Sequence, residues 1–157
     1  MSIIISLVPI FVLTLQLTSS QNTVSLSFCE IKDPERFASK IISVTTEVGF
    51  TPHGTFLLTD TCKRKSAEDA VVMYPKLGTA PEVSFDLDEG ALQLLGPFFR
   101  PSGGVSRACG TFEGQLFYRK NFRLRHFGGG PQGNGFGPRG AYRLAFVMKS
   151  VQEIRPC

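Results

Sequence analysis

Hydrophobic and polar residues alternate along much of this chain with the period of two that marks half-buried strands. In residues 40–50 (KIISVTTEVGF), Ile42, Val44 and Val48 share one parity and Thr45 and Glu47 lie between them, so a long strand is expected there. Thr51-Pro52-His53-Gly54 supplies turn chemistry, and residues 55–59 (TFLLT) return as its hairpin partner. Residues 70–74 (AVVMY) read as a third, short strand. Residues 105–118 alternate imperfectly: Phe112, Leu116 and Tyr118 take one parity, and Thr111, Glu113 and Gln115 the other. Gly110 and Gly114 there mark expected bulges or sharp bends. Residues 115–125 (QLFYRKNFRLR) also read as strand. Residues 141–154 form the fifth strand, with Tyr142, Leu144, Phe146 and Met148 alternating against Arg143, Ala145 and Val147.

Two helical segments interrupt this pattern. Ser27-Phe28-Cys29-Glu30 fits a capping box, in which a hydroxyl and a carboxylate each satisfy a free backbone N–H at a helix start. It predicts a short helix over 28–32, which Pro34 ends. Residues 86–95 (DLDEGALQLL) open with acids suited to a helix N-terminus. They continue with Leu87, Ala91, Leu94 and Leu95 at helical spacing until Gly96-Pro97. Gly90 is a poor helix former within that stretch. Five strands with a helix between the third and fourth predict a mainly β fold, a small five-stranded OB-fold-like Greek-key barrel with one or two short helices. A β-sandwich would need more strands than the pattern supplies.

The glycine-rich stretch 127–142 (FGGGPQGNGFGPRGAY) joins strands four and five. It contains no G-x-x-x-x-G-K-[ST] cradle and does not lead from a strand into a helix, which excludes P-loop and dinucleotide readings. Its glycines predict tight crossings at a barrel end or a mobile lip.

Composition adds an address. The apolar run from Ser2 to Leu17 passes into Thr18-Ser19-Ser20-Gln21, the pattern of a secretory signal peptide cleaved after Ser20, although its start carries no Lys or Arg. The alternative, an uncleaved anchor, is interrupted by Pro9 and falls short of the ~20 residues a span needs. A secreted or periplasmic localisation is expected, with residues 21–157 as one monomeric domain and no membrane span after cleavage. The four cysteines, Cys29, Cys62, Cys109 and Cys157, form an even set suited to disulfides in an exported chain. Four cysteines allow three pairings. The sequence-local one, Cys29–Cys62 with Cys109–Cys157, is expected, each bond stabilising by about 3–4 kcal/mol in the loop-entropy picture. With no C-x-x-C and two histidines, the sequence implies no metal site and no cofactor.

Charge is uneven along the chain. Between residues 100 and 143 the basic residues are Arg100, Arg107, Arg119, Lys120, Arg123, Arg125, Arg139 and Arg143, against Glu113 alone. A positive surface of this kind suits polyanions. The run from Phe117 to Phe127 interleaves aromatic rings with Arg and Lys, which can stack on bases or sugars while neutralising phosphates or sulfates. The candidate binding residues are Tyr118, Arg119, Lys120, Arg123, Arg125, His126, Arg139 and Tyr142. The competing structural explanation is a strand with Phe122 and Leu124 inward and a solvated basic face. His53 reads as a solvent-exposed turn histidine. No G-x-S-x-G elbow or other catalytic signature is present, and Asp86, Asp88 and Glu89 suit a helix start better than a calcium loop. The expected function is a non-catalytic binding module for a protein partner or an anionic polymer, nucleic acid being disfavoured by export. The alternatives are a secreted inhibitor or effector docking on an enzyme through the basic face and, third, a hydrolase.

Several short motifs carry a resemblance. Pro34, Phe37, Lys40, Ile42 and Val44 match a Pro-x-x-aromatic element followed by Lys-x-Val-x-Val. Gly110-Thr111-Phe112-Glu113 is similar to a Gly-x-Phe-Glu element. Gly135-Phe136-Gly137-Pro138-Arg139-Gly140-Ala141-Tyr142 is similar to a Gly-Phe-Gly-His-x-Gly-x-Tyr loop, followed by Ser150-Val151-Gln152-Glu153-Ile154 as Ser-Val-x-x-Ile. In these motifs the chain resembles a family of uncharacterised exported bacterial proteins with an OB-fold-like core. Thr46 and Pro138 stand where that family has Gly and His. The resemblance implies a fold and no substrate.

Overall fold

The computed structural model describes residues 23–31, 33–58, 70–74, 80–83, 85–86, 88–98 and 106–157. The expected signal peptide over residues 1–20 lies outside them, as does Cys62. Among the described residues the chain runs β1 (Val24–Ser27), α1 (Pro34–Phe37), β2 (Ile41–Thr51), β3 (Gly54–Leu58), β4 (Val71–Tyr74), α2 (Glu89–Leu95), β5 (Ser106–Tyr118), β6 (Leu124–Phe127), β7 (Gly130–Gly133) and β8 (Leu144–Pro156). Strands β2, β3, β4, β8 and β5 pair in that order, and β2 pairs again with β5, which closes a five-stranded barrel. Every barrel pairing is antiparallel except β4 with β8, which is parallel. With α2 between the third and fourth barrel strands, this is the OB-like Greek-key layout that the strand pattern predicts. β1 adds a short parallel strand to the first half of β2.

The barrel forms here because one parity of each long strand is apolar. Ile42, Val44 and Val48 of β2, Phe112 and Leu116 of β5, and Phe146 and Met148 of β8 are fully buried. Ala91 and Leu95 of α2 join the same core. Burying side chains of this size stabilises by roughly 1.5–3 kcal/mol each. Helix α2 starts on a capped turn, with Asp88 Oδ1 accepting from the Gly90 N–H at 2.9 Å. Leu94, read with the apolar face, is instead half exposed, because α2 turns only the stripe of Ala91 and Leu95 inward.

The glycines of β5 answer irregularities in its neighbour. Register shifts between β5 and β8 fall at Cys109/Thr111 and at Glu113/Gly114, and at both places the additional residues are on β8. The β8 backbone therefore crowds β5. A methyl group on Gly114 would collide with the Val147 carbonyl oxygen, which is why the strand has no side chain there.

At the N-terminus the capping box is present. The Glu30 carboxylate accepts from the Ser27 backbone N–H at 2.6 Å and from its hydroxyl at 2.8 Å, which holds the Glu30 pKa below the usual value. The helix it opens is shorter than predicted, a single 3-10 turn over Phe28–Glu30. Pro34 stands at the start of α1, where its missing N–H costs nothing.

Cys109 and Cys157 are disulfide-bonded, with Cα atoms 5.1 Å apart. The bond ties the end of β8 to β5. Cys29 is also disulfide-bonded; the expected Cys29–Cys62 pairing involves a residue outside those described. Replacing both Cys109 and Cys157 with Ser should cost about 4 kcal/mol, the loop-entropy value for a closed loop of 48 residues. Urea unfolding at equilibrium measures this, and a loss under about 1 kcal/mol would show that β5–β8 pairing alone secures the terminus.

Candidate functional site

Strand β8 is buried on both faces at its start. Leu144, Phe146 and Met148 face the barrel core, and Ala145 and Val147 are buried as well. The second set belongs to an outer apolar layer with Val72 and Tyr74 of β4, flanked by Phe56 of β3 and Phe117 of β5. The parity of β8 that sets Ala145 and Val147 against the inward residues therefore forms a second core. Two segments cover this layer, one through Val83 and Phe85 and the other through Phe136 and Tyr142 of the glycine-rich stretch.

The seating of that stretch explains its sequence. Phe136 meets Phe117 edge-on at 6.4 Å between ring centroids, and Tyr142 meets Phe56 at 5.1 Å. Phe136 and Tyr142 bridge each other through their backbones, with N···O distances of 2.7 and 3.2 Å. The Gly137 N–H donates to the Tyr74 hydroxyl at 2.9 Å. Gly137 has φ +69° and would press any side chain into Val72, and a methyl on Gly135 would collide with the Tyr142 carbonyl oxygen. The Gly-Phe-Gly…Gly-x-Tyr pattern is thus a clasp against the barrel wall.

The rest of the connection between β5 and β8 is an arm. Residues 115–125, expected as one strand, break after Tyr118 at a turn over Lys120 and Asn121. The glycine-rich stretch, expected as a loop joining strands four and five, contributes β7 and the whole turn of the antiparallel ribbon β6–β7. Asn134 braces its base: Oδ1 accepts from the Arg123 N–H at 2.8 Å, and Nδ2 donates to the Asn121 carbonyl at 3.0 Å. From residue 119 to residue 143 the chain carries six Arg or Lys and no acid.

The arm sorts the candidate binding residues. Arg125 and Phe127 fall on one face of β6 by the two-residue period of a strand, and with Arg123, just before the strand, and Gln132, Gly133 and Asn134 they line a shallow groove of about 320 Å³. Arg125 and Gln132 are cross-strand partners. Arg139 comes to the ribbon turn: a methyl on Gly130 would meet its Nη1 at 3.0 Å. His126 is exposed on the opposite face, paired with Pro131.

The others are drawn into packing. The Arg119 guanidinium lies 5.3 Å from the Phe136 ring centroid, and that of Arg143 lies 5.5 Å from the Tyr118 ring. Tyr118 borders the inner core and Tyr142 the outer one. Lys120 points to Glu35 at 3.6 Å, an exposed ion pair worth little energetically. Phe127 is the residue missing from the candidate set. It is 55 % exposed, the most exposed large apolar side chain among the described residues, and its two-residue spacing from Arg125 is the signal that could have included it.

A second cleft, of about 730 Å³, lies between the end of β1 and the last residues of β8, over β2 and β5. Phe28, Thr45, Thr46, Glu47, Thr111 and Glu153 contribute to its wall. There the Thr45 and Thr111 hydroxyls share a hydrogen bond at 2.9 Å, and Arg107 Nη1 lies 2.9 Å from Glu47 Oε1. His53 is exposed in the β2–β3 turn, and neither it nor His126 lines either cleft. Among the described residues no three His, Cys, Asp or Glu side chains are grouped to hold a metal, and no helix is long and apolar enough to cross a membrane.

No family model matches the chain, and no curated protein or solved structure matches it.

The clasp can be tested directly. Gly135→Ala should cost roughly 2–3 kcal/mol, the penalty of forcing a methyl into filled space, whereas Gly128→Ala, in open space at the ribbon turn, should be close to neutral. Thermal unfolding of the two variants side by side measures this, and equal melting temperatures would refute the clasp.

Proposed function

We propose that this chain is an exported, non-catalytic binding module, an OB-like barrel that holds an anionic polymer against the basic arm between β5 and β8. The observation that carries the reading is that Arg123, Arg125 and the exposed Phe127 line one groove along the ribbon, within a segment that has six cations and no acid. Arginine offers planar, paired N–H donors that match carboxylate, sulfate or phosphate oxygens, and its charge is fixed at every relevant pH. The Cys109–Cys157 disulfide agrees with a secreted or periplasmic address, as does the apolar start of the sequence. The resemblance to exported bacterial proteins points the same way.

Size favours a polymer over a folded protein partner. Two strands of four residues span about 14 Å by 10 Å, from the rise per residue and strand spacing, far below the ~800 Å² a side of a stable protein–protein interface. A linear polyanion needs no such area, because it gains affinity by releasing counterions along a short row of charges.

Heparin chromatography tests the reading. The double variant Arg123→Ala/Arg125→Ala should elute at distinctly lower salt. The slope of log affinity against log salt should fall by roughly two, about one for each ionic contact removed. Elution at the wild-type position would rule out the arm as the polyanion site.

A further inference from the structure

The geometry points to an acidic polysaccharide as the polymer, with one sugar ring packed on Phe127 and its acidic groups held by Arg125 and Arg123. This rests on the polyanion reading of the arm and adds the class of ligand. Residues two apart on a strand present side chains ~6.8 Å apart. Arg125 and Phe127 are so spaced on β6, and with Arg123, which lines the same groove just before the strand, they offer two anion sites and one apolar platform beside the exposed amide of Gln132.

The state of the other rings separates a sugar from a nucleic acid. A single nucleic-acid strand gains affinity by stacking successive bases on successive aromatic side chains along a basic groove. On this arm Phe136 and Tyr142 are engaged with Phe117 and Phe56, and Phe122 lies against Gly133 and Gly135. Tyr118 carries the Arg143 guanidinium on its ring. Phe127 alone is left open, at the end of the row. A polysaccharide needs no ladder of rings. One platform takes the apolar face of one sugar, amide groups meet its hydroxyls, and paired guanidinium donors meet carboxylates or sulfates two or more bonds away. Asn134 is already committed to the backbone of residues 121 and 123, so the groove wall is braced before any ligand arrives.

Calorimetric titration of the exported chain with four probes tests this: a heparin octasaccharide, a tetragalacturonate, a dodecathymidylate and phosphatidylglycerol vesicles, all at low ionic strength. One of the two acidic saccharides should bind most tightly. Phe127→Ala should weaken it about tenfold, as expected for losing one half-exposed ring from a contact. Arg125→Lys, which keeps the charge and loses the paired donors, should weaken it by roughly three- to tenfold. Both side chains are exposed, so these variants should unfold at the wild-type temperature. Tighter binding of the oligonucleotide or the vesicles, or a Phe127→Ala affinity within twofold of wild type, would overturn the polysaccharide assignment and leave the polyanion reading standing. Failure of all four probes to bind would remove both.

Discussion

The contact on which the arm depends is the seating of Phe136 and Tyr142 on the outside of the barrel, over Val72, Tyr74, Ala145 and Val147. An isolated two-stranded ribbon is marginal in water, and β6–β7 has only four residues in each strand. It persists because the chain that follows it is fastened to a wall that is already rigid. Each ring contributes on the order of 2 kcal/mol of apolar burial, and the Gly137 N–H to Tyr74 hydroxyl bond fixes the direction of approach. The glycines of the stretch serve this contact by having no side chain where the backbones meet.

That same contact changes what the barrel can do. OB barrels commonly bind ligands on the face of their second and third strands, with help from the loops after the first and fourth. Here the second and third barrel strands are β3 and β4, and their outer residues Phe56, Val72 and Tyr74 are covered by the chain's own fourth-to-fifth connection. The loop after the first barrel strand is the tight turn at Pro52 and His53, too short to form a wall. Available surface is thereby displaced from the barrel face to the arm, where the cations without packing roles, Arg123 and Arg125, stand beside Phe127. Arg119 and Arg143, although in the same basic run, lie over aromatic rings.

Much of the barrel was legible because its strands obey one simple rule. Ile42, Val44 and Val48, then Phe112 and Leu116, mark the buried parity without ambiguity, and Gly110 and Gly114 flagged the places where β8 departs from regular pairing. The capping box at Ser27 and Glu30 was legible for the same reason, since it is local. What could not be read was the outer layer. Residues 144–148 (LAFVM) are apolar on both parities, but nothing in the run says that Val72, Tyr74 and the distant Phe136 and Tyr142 are what Ala145 and Val147 pack against. The ribbon was hidden too, because Gly130 and Gly133 carry no side chains with which to signal a strand. The binding residues were therefore recognised by chemistry, as a basic and aromatic run, while their division into ligand-facing and packing residues required the fold.

Backbone hydrogen exchange in wild type and Phe136→Ala tests most directly whether the outer clasp holds the arm. In the wild type the amides of Gly135, Gly137 and Tyr142 donate to Gly140, Tyr74 and Phe136 and should be protected. With Phe136→Ala, protection at these amides and through β6–β7 should fall by at least tenfold, while the amides of β2 and β5 keep theirs, since they belong to the inner barrel. Heparin affinity should fall with it, although every arginine is still present. Unchanged exchange across residues 124–142 in Phe136→Ala would contradict the account, because the arm would then be ordered by something other than its seat on the barrel.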